Sequence, residues 1–363
     1  MPTRSMNNSI IGYGSFFHEI PFSQIESLPG IEFEVDYEFF YTGRKAIKSV
    51  LQKIESYRTI ETLWVPYYYC PFVKAWLEQN FQNIKYYLID PFDPGAEIEW
   101  SGFRNARDVL IVNNYWGIKS NRFPKGERPV VIEDHSHGWL SKGCLNSSAD
   151  FCIASLRKTV PLALGGIAWK PKLSTSDIPF NGKPQKSGVD DDEMELCWKT
   201  LADAMRAKSQ CRRISEKSTY LNLHSRGEAM LQSHFNVLKV APDKVEILEK
   251  YVFRDYNSVK AGNFRHMAPT LEKNPFFRIL RNDGYTPFGL LLTFKEREDF
   301  QSLKQHLISK SIYPAELWPD TVNSGDYKYL MNIHIDLRYS KNDMDYIGGC
   351  INSWIQQYSP VLK

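Results

Sequence analysis

From Thr42 onward, apolar positions recur three and four residues apart. Ala46, Ile47, Val50, Leu51 and Ile54 make one face of a helix, and Thr42 stands where an N-cap belongs. Short apolar runs then alternate with helical spacing. Residues 62–68, 84–89, 109–112, 130–132, 151–155 and 166–169 read as strands. Residues 70–80 read as a helix carrying Phe72, Val73, Trp76 and Leu77 on its inner side. Strands this short and apolar, with helices between them, predict an α/β domain with a largely parallel sheet of the seven-stranded type.

Residues 171–193 are polar and read as an exposed loop, and 194–235 read as helical. Beyond about residue 240 the style changes. Residues 288–294 read as a strand, and so does the alternation of Ile333, Ile335 and Leu337. Asp299–Ser309 predicts a helix with Phe300, Leu303, Leu307 and Ile308 inward. Asp343–Gln356 predicts another, with Met344, Ile347, Ile351, Trp354 and Ile355 inward. The expected organisation is an N-terminal arm over 1–35, a large domain over 36–205, and a smaller α+β domain with linking helices over 206–363.

Composition narrows the class. With 42% hydrophobic residues, the 363-residue chain can bury a sizeable core. Its 45 basic and 42 acidic residues are mixed, so no charge pattern argues for nucleic acid or an anionic membrane. No run approaches the roughly 20 apolar residues of a membrane span, and the first residues lack the shape of a signal peptide. Cys70, Cys144, Cys152, Cys197, Cys211 and Cys350 show no CxxC or CxH spacing, so no metal site is expected. They read as reduced thiols of a soluble, cytoplasmic protein.

Three polar features fall where strands end or a helix begins: Asp134, Ser155-Leu156-Arg157-Lys158, and Thr42-Gly43-Arg44. In open α/β sheets, ligands bind beyond the carboxyl ends of the strands. A lysine shielded from water gives up its proton more easily and can condense with an aldehyde. An acidic residue beside a pyridine ring keeps the ring nitrogen protonated. A helix start containing glycine offers N–H groups to a phosphate. Aldehyde, pyridine nitrogen and phosphate together describe pyridoxal 5'-phosphate. Each feature alone has a plainer reading: a surface lysine, a turn-forming aspartate, a helix cap.

Several segments, taken in order, resemble the sugar aminotransferase-like family of fold-type-I pyridoxal phosphate enzymes, within the aspartate aminotransferase superfamily. They are YTGRKAI (41–47), VPYYYC (65–70), VNNYWGI (112–118), VVIEDHSHG (130–138), ASLRKTVPLALGG (154–166) and IYPAELWP (312–319). The resemblance spans about residues 40–360. It implies that Lys158 is the catalytic, Schiff-base lysine and that Asp134 pairs with the pyridine nitrogen. It places His137 near the ring hydroxyl, where the family often has glutamine. It gives the phosphate to Ser155, Gly43 and Arg44, with Thr42 just before them. It also implies an aromatic stacked on the cofactor ring, either Tyr68 or Tyr69.

The resemblance implies a homodimer as well, and an aminotransferase that passes an amino group from glutamate to a keto group of a nucleotide-linked sugar. A lyase or dehydratase on the same scaffold, and a binding protein without catalysis, are the alternatives. The chain departs from the common family pattern at Ser-Leu-Arg-Lys-Thr, at Ala-Leu-Gly-Gly, and at Ile335-Asp336-Leu337-Arg338-Tyr339. These loops border the substrate, so the departures bear on what is bound there. Arg157 beside Lys158 is expected either to repel its charge or to point away. Arg338 reads as a carboxylate-binding candidate or as a salt bridge on a strand. His135 and His334 fall near the expected site. His18, His224, His234, His266 and His306 read as surface or core positions.

Overall fold

The computed structural model describes residues 12–14, 17–180, 191–233, 240–271 and 273–358. Much of the expected arm, the centre of the polar loop, the last two residues of the expected 194–235 helical stretch, and His234 lie outside them. The chain starts with strand β1 (Tyr13–Gly14), helix α1 (Phe22–Glu26) and strand β2 (Tyr37–Phe40). Helix α2 (Gly43–Glu55), β3 (Leu63–Pro66), α3 (Pro71–Asn80), β4 (Ile84–Tyr87), β5 (Val109–Asn113) and β6 (Val130–Asp134) follow. Then come α4 (Lys142–Leu145), β7 (Phe151–Ser155), β8 (Gly166–Trp169), α5 (Asp191–Gln210), α6 (Lys217–Ser233), α7 (Pro242–Val252) and α8 (Tyr256–Met267). The last part holds β9 (Phe277–Ile279), β10 (Leu290–Phe294), α9 (Arg297–Ser309), β11 (Ile312–Tyr313), β12 (Ala315–Glu316), β13 (Tyr329–Ile333) and α10 (Lys341–Tyr358).

Seven strands form the main sheet in the order β2-β8-β7-β6-β5-β3-β4. β4, β3, β5, β6 and β7 run parallel, and β8 runs antiparallel to both β7 and β2. Both faces are covered, which is why these strands read as continuous apolar runs. Along β5, Val109 and Ile111 join the core beneath α2, while Leu110 and Val112 join the core on the opposite face. The inner face of α2 buries Ala46, Ile47, Val50, Leu51 and Ile54, as its spacing predicts.

A second, antiparallel sheet runs β12-β13-β10-β9. Its core takes Phe300, Leu303 and Leu307 from α9, and Met344, Ile347, Ile351 and Trp354 from α10. Helices α5 and α6 pack closely because Gly227 has no side chain; a Cβ there would lie 2.6 Å from Leu201.

Some expectations need correction. The alternation of Ile333, Ile335 and Leu337 is a strand only to Ile333. The Asp336 carboxylate then accepts from the Arg338 N–H at 3.0 Å, and the Asp336 carbonyl accepts from the Tyr339 N–H at 3.0 Å, which turns the chain. Phe72 does not face inward from α3; it is 65% exposed at the cavity rim. The helical stretch from 194 is two helices, broken near Cys211. β2, α7, α8 and β9 carry no clear period in the sequence.

Candidate functional site

A cavity of about 560 Å³ opens where β6 and β7 end and α2 begins. Thr42, Gly43, Arg44, Tyr69, Asp134, His137, Ser155 and Lys158 all line it. Tyr68 does not; it lies in the core, and its hydroxyl donates to the Leu317 carbonyl at 2.5 Å.

The helix start is built for close approach. Thr42 has extended backbone, and its hydroxyl accepts from the Lys45 N–H at 3.2 Å. Gly43 abuts the end of β7 so tightly that a Cβ would sit 3.0 Å from that of Ser155. Arg44 has no hydrogen-bond partner among the described residues. Burial, and then the neighbouring Arg157 charge, hold its pKa below the usual value.

Asp134, at the end of β6, is gripped through both oxygens. One accepts from the Ser136 N–H at 2.8 Å and the other from the Tyr69 hydroxyl at 2.5 Å. Burial first, and the Asp134 carboxylate next, push the Tyr69 phenol far up, so it keeps its proton and donates. Of the two tyrosines left open by the resemblance, Tyr69 lines the cavity and Tyr68 does not, and the Tyr69 hydroxyl is committed to Asp134.

Lys158 ends a 3-10 turn, Leu156–Lys158, directly after β7. Its Nζ lies 3.2 Å from His137 Nε2. His137 is buried in an aromatic box. Its ring stacks on Trp116 at 4.9 Å, with Phe288 at 4.8 Å and Trp318 at 5.4 Å. Burial, then the Lys158 charge, hold its pKa well below 6.5, so the imidazole is neutral. Trp116 and Trp318 both adopt positive φ, 63° and 56°. Such a conformation costs a bulky residue about 1–3 kcal/mol, and residues held this way cluster at functional sites.

Arg157 points away from the lysine. Its guanidinium grips Glu228 of α6 at 2.5 and 3.0 Å. Arg338 stays out of the cavity, paired to Asp336 at 2.9 Å and covered by Phe17 at 4.0 Å. His334 lines the cavity, whereas His135 lies beneath it, 3.2 Å from Glu133. Glu133, His135 and Cys152 bring possible ligand atoms within 4.8 Å of one another. Both Glu133 oxygens already accept from Asn114, Asn121 and Ser147, while both ring nitrogens of His135 lack a hydrogen-bond partner among the described residues. Asn113 was not anticipated. It lines the cavity at the end of β5, and both its amide atoms lack partners. The polar end of the apolar run 109–113 was its only signal.

No family model matches the chain, and no curated protein matches it in sequence. Solved structures do match. Spr1654 from Streptococcus pneumoniae, in its PMP-form and named as a candidate sugar aminotransferase, aligns with a TM-score of 0.53 at 14% identity; the match covers 93% of this chain and 90% of that one. A DegT DnrJ EryC1 StrS aminotransferase from Brucella abortus aligns with a TM-score of 0.53 at 13% identity over 88% and 86%. The sugar aminotransferase CalS13 from Micromonospora echinospora aligns with 0.52 at 12% over 87% and 87%. The fold is that of the fold-type-I transferases. In this chain, the strand-end aspartate, the lysine after the next strand and the opening of α2 all meet at one cavity.

Proposed function

We propose that the chain is a pyridoxal phosphate-dependent aminotransferase that uses Lys158. Its proposed donor is glutamate and its acceptor a keto group on a nucleotide-linked sugar. We further propose that it works in the cytoplasm as a homodimer. One observation carries the reading: a lysine amine and a doubly anchored carboxylate face the same cavity as the glycine-bearing start of α2. The residues present fit the group. The cavity volume, about 560 Å³, lies in the range of small-molecule sites. Arg44, which makes no ion pair among the described residues, supplies a cation in the first turn of α2, where a phosphate is favoured. Asn113 supplies buried amide atoms without partners.

When bound, pyridoxal phosphate supplies an aldehyde for the lysine and a ring that stabilises negative charge at the substrate carbon. The protein supplies the rest. Asp134 would pair with the ring nitrogen, through a carboxylate held by the Ser136 N–H and the Tyr69 hydroxyl. Lys158 is the amine that can carry a proton between substrate carbon and cofactor. Neutral His137 accepts a hydrogen bond from the lysine at 3.2 Å and steadies it. Leu317 and Trp318, directly after β12, add an apolar wall to the cavity. The likeness to proteins named as sugar aminotransferases supports the choice of acceptor.

The test is a spectrum of the purified protein with pyridoxal phosphate, before and after glutamate. An imine band that glutamate bleaches, with release of 2-oxoglutarate, is the expected result. Borohydride reduction should attach the cofactor to Lys158, and Lys158→Ala should show no such band. The same band in Lys158→Ala would refute the assignment. Loss of water from the substrate without amine transfer would favour a dehydratase.

A further inference from the structure

Tyr68 and Tyr69 are neighbours in sequence, both buried, and their hydroxyls serve different partners. Tyr68 reaches the Leu317 carbonyl beside the cavity rim. Tyr69 reaches across β5 to Asp134 on β6, 65 residues further along the chain. A carboxylate at a strand end rotates about its side-chain bonds unless both oxygens are held. Here the Ser136 N–H, from the chain's own turn, takes Oδ1, and among the described residues Tyr69 alone takes Oδ2. Each oxygen still has a lone pair left, and the cavity is the open side.

We infer that Tyr69 is a positioning residue, acting through Asp134. Its hydroxyl fixes the plane of the carboxylate that receives the protonated ring nitrogen, and its ring is not a stacking platform. The inference rests on the pyridoxal phosphate reading above. It gives Tyr69 a role other than the ring stacking that the resemblance left open between Tyr68 and Tyr69, and the two roles make different forecasts for a single atom. Removing the hydroxyl alone leaves a stacking ring intact but releases one carboxylate oxygen. A hydrogen bond to a charged acceptor is among the stronger ones, so the loss should be large.

The experiment is titration of the full chain with pyridoxal phosphate, read by the imine band, in five proteins: wild type, Tyr69→Phe, Tyr68→Phe, Asp134→Asn and the double variant Tyr69→Phe/Asp134→Asn. Tyr69→Phe should bind roughly tenfold or more weakly, while borohydride still attaches the cofactor to Lys158. Tyr68→Phe loses an equally buried hydroxyl and should bind as wild type, which controls for general loosening. In the Asp134→Asn background, Tyr69→Phe should add nothing, because the partner it positions is already altered. Wild-type affinity in Tyr69→Phe would overturn the inference. So would an equal loss in Tyr68→Phe, or a full tenfold loss persisting without the Asp134 carboxylate. A wild type that forms no saturable imine band would instead sink the cofactor reading itself, and this inference with it.

Discussion

Gly166→Ala puts the geometry of the helix start to a direct test. Gly166 lies in β8, opposite Phe40 of β2 on one side and Ser155 of β7 on the other. A Cβ there would sit 2.3 Å from both the carbonyl carbon and the oxygen of Thr42, and 2.8 Å from the Gly43 nitrogen. Relaxed contacts between such atoms are roughly 3.5 Å or more, so backbone must yield by about 1 Å. The group that yields matters, because the Thr42 carbonyl accepts the first hydrogen bond of α2, from the Ala46 N–H at 3.1 Å. Overpacking of this kind costs about 1–3 kcal/mol. The same displacement moves the N-terminus of α2 away from Ser155 and Lys158. Urea unfolding should therefore shift to lower denaturant, and pyridoxal phosphate should bind more weakly in the same variant. The control is Gly262→Ala on α8, where an added Cβ meets nothing within 4 Å. It should be neutral, or stabilise by about 0.5–1 kcal/mol. A Gly166→Ala protein that unfolds and binds like wild type would refute the close-approach argument.

Two more perturbations probe charge. The Glu228 carboxyl is pulled two ways: burial raises its pKa, and the Arg157 guanidinium more than offsets that, holding it below 4.5. Its stabilisation is therefore present above pH 4.5 and fades as pH falls through the lower folded-state value. Glu228→Gln should cost about 1–3 kcal/mol in urea unfolding at pH 7, and the gap should close in acid; a gap unchanged at pH 3 would contradict the pairing. Burial, then Arg338, lowers His18 to about 3; burial also dominates at His334, lowered to about 4. Below pH 6.5 the unfolded chain takes up protons that these folded rings refuse. Stability present above that pH should thus fall by up to about 1.4 kcal/mol per pH unit for each ring, and His334→Gln should flatten the slope between pH 6 and 5.

Much of the seven-stranded sheet was legible locally. The strands β5 to β8 are runs buried on both faces, and α2 has one unbroken apolar face beginning at a capping threonine. The short aromatic strand β2 was not legible, because its four residues carry Glu38 among the aromatics and its pairing with β8 makes it a strand. Helices α7 and α8 escaped for a related reason. Their buried positions include Lys244, Lys260 and Asn263, polar residues that hydrophobic periodicity does not count.

The sequence by itself determined which residue types stand at strand ends, Lys158 and Asp134 among them; the roles expected of these two came from the resemblance. Periodicity and turn chemistry are local, and a strand end in an α/β sheet has only one place to point. Only the tertiary structure decided between neighbours: Tyr69 over Tyr68, an Arg157 turned to Glu228 rather than to Lys158, and a His137 boxed by three aromatic rings from distant segments. The physical reason is that a hydrogen bond spanning 65 or 71 residues depends on which strands lie side by side. That order comes from packing the whole sheet, and no short stretch of the chain contains it.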